Sequence, residues 1–181
     1  MNKIVLHDKT FEPFIDNSVL EDAIDKLSAK INADFKDRKD IPLVLCVLNG
    51  AIIFTGELLK RLEFPLEVCA IKLASYAGTG STGKIQETLG LTSDVKGRSV
   101  IVCEDIVDTG NTMVMLKKKL LDQGAADVRI CTMLLKPEIF QNKMPLDYVG
   151  MEIPARFIVG FGLDYDGLGR NIKDIYVLSE L

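Results

Sequence analysis

The chain has a single histidine, His7, and four cysteines, none of them in a CxxC pair, so the ligand spacing on which zinc sites and redox dithiols depend is missing. Cys46, Cys69, Cys103 and Cys131 each fall inside an apolar, strand-like run and are expected to be buried, reduced core thiols. Long hydrophobic runs are also lacking, since charged or glycine-rich segments repeatedly interrupt them and none approaches a membrane span. The first residues, MNKIVLHDKTFEPF, carry early charges and neither the apolar stretch nor the cleavage pattern of a secretory signal, which predicts a cytoplasmic protein. Positive charge is in short supply. A formal net charge of -4 offers no broad attraction to nucleic acid or to an anionic membrane, so neither is expected as a partner. The one dense basic run, Lys117 to Lys119, lies within a predicted helix and reads as a solvated face.

What is present is a core. Of the 181 residues 48% are hydrophobic, enough for one compact unit. SVLEDAIDKLSAKINADF, residues 18 to 35, places Leu20, Ile24, Leu27 and Ile31 on one helical face, with Ser18 and Glu21 as an expected capping box. PLVLCVL then reads as a strand buried on both faces, NG as a turn and AIIFTGELLKRL as a helix. The alternation continues through the strands LEVCAIKLASY and RSVIVCEDIV, the helix TMVMLKKKLLDQG and the strand VRICTMLLK, predicting a mainly parallel α/β sheet flanked by helices. From about residue 147 the runs shorten to DYVGMEIP, RFIVGFGLDY and DIYVL, expected to form a small strand-and-loop cap.

The most informative stretch is Val100 to Thr112, VIVCEDIVDTGNT, in which a strand ends on two adjacent acids and enters a helix through Thr-Gly-Asn-Thr. Free amides of a helix's first turn, the hydroxyls of Thr109 and Thr112 and the close approach allowed at Gly110 suit a phosphate dianion, with Asn111 in the same turn. Glu104 and Asp105 stand where open α/β sheets place ligands, and vicinal carboxylates can accept from a pair of sugar hydroxyls. Ordinary strand-to-helix loop chemistry would also produce such an acid-rich end. Ser75 to Gln86, SYAGTGSTGKIQ, is consistent with either a mobile loop or a plain surface hairpin.

Val100 to Thr112 resembles the phosphoribosyl pyrophosphate signature of type I phosphoribosyltransferases, and its DTGxT form, with Asp108 before the threonine, resembles the 6-oxopurine branch. The likeness runs in family order through VLNGAIIF, LASYAGTGSTGKIQ, KPEIF and DYVGMEIPARFIVGFGLDYDGLGRN. It implies the type I phosphoribosyltransferase fold for residues 1–181 as one domain, with a hood contributed mainly by 137–181 and the N-terminal segment. It also implies transfer of a 5-phosphoribosyl group to hypoxanthine or guanine, with a xanthine-preferring enzyme or a non-catalytic regulator as alternatives. Phosphoribosyl pyrophosphate and a 6-oxopurine are the implied partners, Mg2+ the implied cofactor, and a homodimer or homotetramer the implied assembly.

By that resemblance Asp108 is the catalytic acid–base group, and Glu104, Asp105, Thr109, Gly110, Asn111 and Thr112 hold ribose and phosphate. Leu48, Asn49 and Gly50 form the pyrophosphate loop, Ser75 and Tyr76 close over it, and Arg170 adds a cation. Lys136 donates to the purine O6, Phe157 stacks on the base and Ile158 offers backbone groups to its edge. Asp164 lies beside the purine and holds magnesium, which Glu104 and Asp105 share. Asn49 is a departure, because most 6-oxopurine relatives have lysine there. His7 matches no catalytic position.

Overall fold

The structure is a computed structural model, and it describes residues 2–74, 86–141 and 144–179. Its main sheet, in spatial order β5-β4-β3-β6-β7-β8, is built from β3 (Leu43–Leu48), β4 (Glu67–Ala74), β5 (Gln86–Leu89), β6 (Ser99–Val107), β7 (Asp127–Leu135) and β8 (Tyr148–Glu152). Every neighbouring pair in it is parallel except β4 with β5. Parallel strands need covered faces, and the period of two in β3 and β6 provides them. Val44, Ile101 and Cys103 face a core shared with helices α1 (Asn17–Phe35) and α2 (Ile52–Leu59), while Leu43, Leu45, Val100 and Val102 face helix α3 (Asn111–Asp122).

The expected stripe of α1 is buried at Leu20, Ile24, Leu27 and Ile31, each side chain contributing roughly 1.5–3 kcal/mol by leaving water. Its cap differs from the expectation. Asp16, two residues before Ser18, is the N-cap and accepts from the Ser18 amide and hydroxyl, and Asn17 rather than Ser18 donates to Glu21. An aspartate in extended conformation ahead of the serine outcompetes the hydroxyl for the first amides.

A second, antiparallel sheet in the order β1-β2-β10-β9 joins the N-terminal hairpin, β1 (Ile4–Leu6) and β2 (Lys9–Ile15), to β9 (Ile158–Val159) and β10 (Ile175–Leu178). This is the expected cap, with one correction. Tyr148–Glu152 does not belong to it but extends the main sheet beside β7. All four cysteines are free and buried, as expected. No helix among the described residues is long and apolar enough to cross a membrane.

Candidate active site

The candidate residues collect at the carboxyl ends of three adjacent strands, β3, β6 and β7, where open α/β sheets bind ligands. Register puts them there. Val107 pairs with Leu135, so the next residues, Asp108 and Lys136, leave the sheet side by side, and the Lys136 amide still donates to the Val107 carbonyl. Their side chains meet as an ion pair, Lys136 Nζ to Asp108 Oδ1 at 3.0 Å. Lys136 is mostly covered, with 12% of its side chain exposed, whereas Asp108 is half open at 49%.

One strand over, β3 ends in the Leu48–Asn49 peptide, which is cis, and in Gly50. Glycine at position 50 makes room for the doublet, because a β-carbon there would lie 1.6 Å from Asp105 Oδ2 and would displace that carboxylate. The Gly50 carbonyl is itself approached by Gly162, whose own β-carbon would stand 2.0 Å from it. The turn Leu48 to Gly50 is therefore wedged between the acidic doublet and the cap, with Asn49 exposed.

Glu104 and Asp105 are half-buried neighbours. Burial, reinforced by the adjacent Asp105 carboxylate, pushes the Glu104 carboxyl well above the usual range. Asp105 is also raised by burial, although contacts with Glu104 and the Ile106 amide, together with the charge of Arg170, work the other way. Such a doublet calls for hydrogen-bond donors or a cation. Beyond it, Gly110 holds a left-handed φ of 81° as N-cap of α3 and has no side chain to cap that helix, while Thr109 Oγ1 accepts from the Asn111 amide at 3.5 Å. Asn111 and Thr112 in the first turn of α3 are exposed beside Thr109, whose carbonyl accepts from the Gln141 amide.

The cap supplies the remaining candidates. Arg170 bonds the Gly162 carbonyl at 2.7 Å and pairs with Asp164 Oδ1 at 2.6 Å, while Asp164 Oδ2 accepts from the Gly167 amide. Phe157 is 48% exposed although it sits beside a strand. Its carbonyl accepts from Leu178, so the alternation of the ladder turns the backbone groups of Ile158 toward the free edge of β9. Ser75 and Tyr76 lie outside the described residues, as does most of the expected loop.

Glu104, Asp105 and Asp164 do not form a shared three-ligand cage, since no cluster of three His, Cys, Asp or Glu suited to a metal occurs among the described residues. Hard carboxylate oxygens still fit magnesium, which commonly takes one or two carboxylates and completes its shell with water and phosphate oxygens. Sequence reasoning missed Gly162 and Tyr165. The glycine density of GFGLDYDGLG was the available signal for close backbone approach.

Fold and site together define an α/β ligand-binding protein whose strand ends combine an acidic doublet, a glycine-capped helix N-terminus and an acid–base ion pair, with a second such pair in the cap. The family model for the phosphoribosyl transferase domain matches residues 14–166. Hypoxanthine-guanine phosphoribosyltransferase of Lactococcus lactis is 43% identical over 139 residues, 76% of this chain and 75% of that protein. Hypoxanthine-guanine-xanthine phosphoribosyltransferase of Tritrichomonas foetus is 37% identical over 163 residues, covering 89% of this chain and 87% of its own. The crystal structure of a hypoxanthine-guanine phosphoribosyltransferase from Bacillus anthracis superposes with a TM-score of 0.87 at 30% identity, covering 93% of this chain and 98% of that one. The chain belongs to the phosphoribosyltransferase family.

Proposed function

We propose that the protein transfers the 5-phosphoribosyl group of phosphoribosyl pyrophosphate to hypoxanthine and guanine, releasing pyrophosphate and forming IMP and GMP in purine salvage. The observation that carries the choice of base is the Lys136–Asp108 pair. O6 and N7 are neighbouring acceptors on one edge of a 6-oxopurine, and an ammonium beside a carboxylate suits that edge when N7 carries or sheds a proton. A 6-amino group would meet the same ammonium as donor against donor, which disfavours adenine.

Displacement occurs at the ribose C1, where the bond to pyrophosphate breaks as a base nitrogen forms the new one. Asp108, half open and tethered by Lys136, accepts or shares the N7 proton. Glu104 and Asp105 accept from the ribose hydroxyls, which answers the unmet demand of the doublet for donors, and the α3 amides with Thr109 to Thr112 hold the 5-phosphate. The Leu48 to Gly50 turn and Arg170 receive the pyrophosphate, and Phe157 stacks on the base with the edge of Ile158 beside it. Bound Mg2+ supplies charge neutralisation of the leaving group. Asp164 on one side, or the Glu104–Asp105 doublet on the other, would hold it through one or two carboxylates, with phosphate oxygens and water completing its shell. We assign the activity to the cytoplasm and to a homodimer or homotetramer.

Incubation with phosphoribosyl pyrophosphate, Mg2+ and hypoxanthine, guanine, xanthine or adenine in parallel tests the reading. Nucleotide should form from hypoxanthine and guanine and not from adenine. The name of the Tritrichomonas foetus relative makes xanthine the arm to watch. Nucleotide from adenine alone, or from no base, overturns the proposal.

A further inference from the structure

The N-terminal hairpin turn does more than close β1 onto β2. Leu6 pairs with Lys9, so His7 and Asp8 form its two-residue tip, and His7 takes a left-handed φ of 50°. That tip reaches across the fold to one ring, Tyr165. The Tyr165 hydroxyl donates to Asp8 Oδ1 at 2.8 Å, Lys9 Nζ sits 5.1 Å from the ring centroid, and the His7 ring meets it edge-on at 5.8 Å. His7 Nε2 also lies 3.3 Å from the Asp166 carbonyl.

Tyr165 in turn stands at 88° to Phe157 with centroids 5.9 Å apart, and buried Phe11, on the strand that follows the tip, touches both rings. An exposed aromatic platform that must meet a planar base benefits when its orientation is set before the base arrives. We infer that Asp8 and Tyr165 form a positioning pair for the purine, holding Phe157 at its working angle from the N-terminal hairpin; the inference rests on the reading of Phe157 as the stacking residue.

Steady-state kinetics on Tyr165→Phe, Asp8→Ala, Asp8→Asn and Phe157→Ala test it. Tyr165→Phe keeps the ring and loses only the hydroxyl, so the fold survives and the KM for hypoxanthine rises about threefold or more. Asp8→Ala has the same effect, Asp8→Asn restores most of the affinity because its amide oxygen still accepts, and kcat and the donor KM stay within about twofold. The double variant Tyr165→Phe with Asp8→Ala is no worse than either single change. If Phe157→Ala raises the base KM while the Asp8 and Tyr165 variants do not, the positioning pair is wrong and stacking stands. If Phe157→Ala leaves the base KM unchanged, the stacking reading falls and the inference with it.

Discussion

In the proposed reaction Asp108 and Lys136 can act only if their pairing is partial, since a carboxylate locked to an ammonium could not also handle a purine proton. The geometry satisfies this, with one strong contact at 3.0 Å and a carboxylate half open to the site. Asp108→Asn should therefore lower kcat by about 10² or more with little change in donor binding, and near-normal turnover in a steady-state assay would remove Asp108 from proton transfer. Lys136→Ala should weaken hypoxanthine and guanine while leaving the donor KM intact, and an unchanged base affinity would show that O6 is read elsewhere. Asn49 poses a different question. It is exposed on the turn that Gly50 wedges against Asp105, so Asn49→Lys adds a cation beside the expected pyrophosphate without disturbing the wedge. Donor binding by titration calorimetry should tighten about fivefold, and unchanged affinity would mean that this side chain points away.

Helices and strands of the main sheet were legible because burial on both faces writes continuous apolar runs, such as PLVLCVL, that no other local structure requires. The elements that escaped lack that signature. β2 contains Pro13, tolerated because β1 stops pairing at Phe11 and leaves that side of the strand open. β5 is polar, QETL, since it pairs only at the sheet's edge. Tyr148–Glu152 was misplaced for the opposite reason, a short run whose partner β7 is fixed by register and not by composition. In the site, the strand-end doublet and the helix-entry turn could be read from residue type, whereas the Gly50–Gly162 contact joins segments far apart in the chain. The cap of α1 yields an element-scale prediction. Asp16→Ala should lower the thermal midpoint by about 2 °C, and Asp16→Asn by less, because only the alanine removes the acceptor used by Ser18. Equal loss in both variants, measured by circular dichroism, would assign the effect to charge.

Across the whole molecule the two ends of the main sheet divide the labour. Carboxyl ends carry the candidate site, and amino ends carry an ionic network in which Asp127 accepts from Arg38 and Arg129, and Asp34 from Arg129 and Tyr148. This network ties α1 to β7 and β8 at the end of the sheet opposite the candidate site. Burial works against the Asp127 carboxylate, yet the bonds from Arg129 and Arg38 outweigh it and hold its pKa below the ordinary value. Since the unfolded chain protonates near the ordinary value of about 3.9, the stabilisation is fully present above that pH and is lost as pH falls through the lower, folded value. With the side chain 37% exposed, solvent screening limits the contribution to about 1 kcal/mol at neutral pH. Asp127→Asn should therefore lower the urea midpoint at pH 7, while the gap between variant and native protein narrows as pH drops below about 4. Turnover with hypoxanthine should be unaffected, because the network and the site sit at opposite strand ends. A gap that stays constant down to the acid transition would show that Asp127 stabilises through its shape and neutral hydrogen bonds and not through its charge.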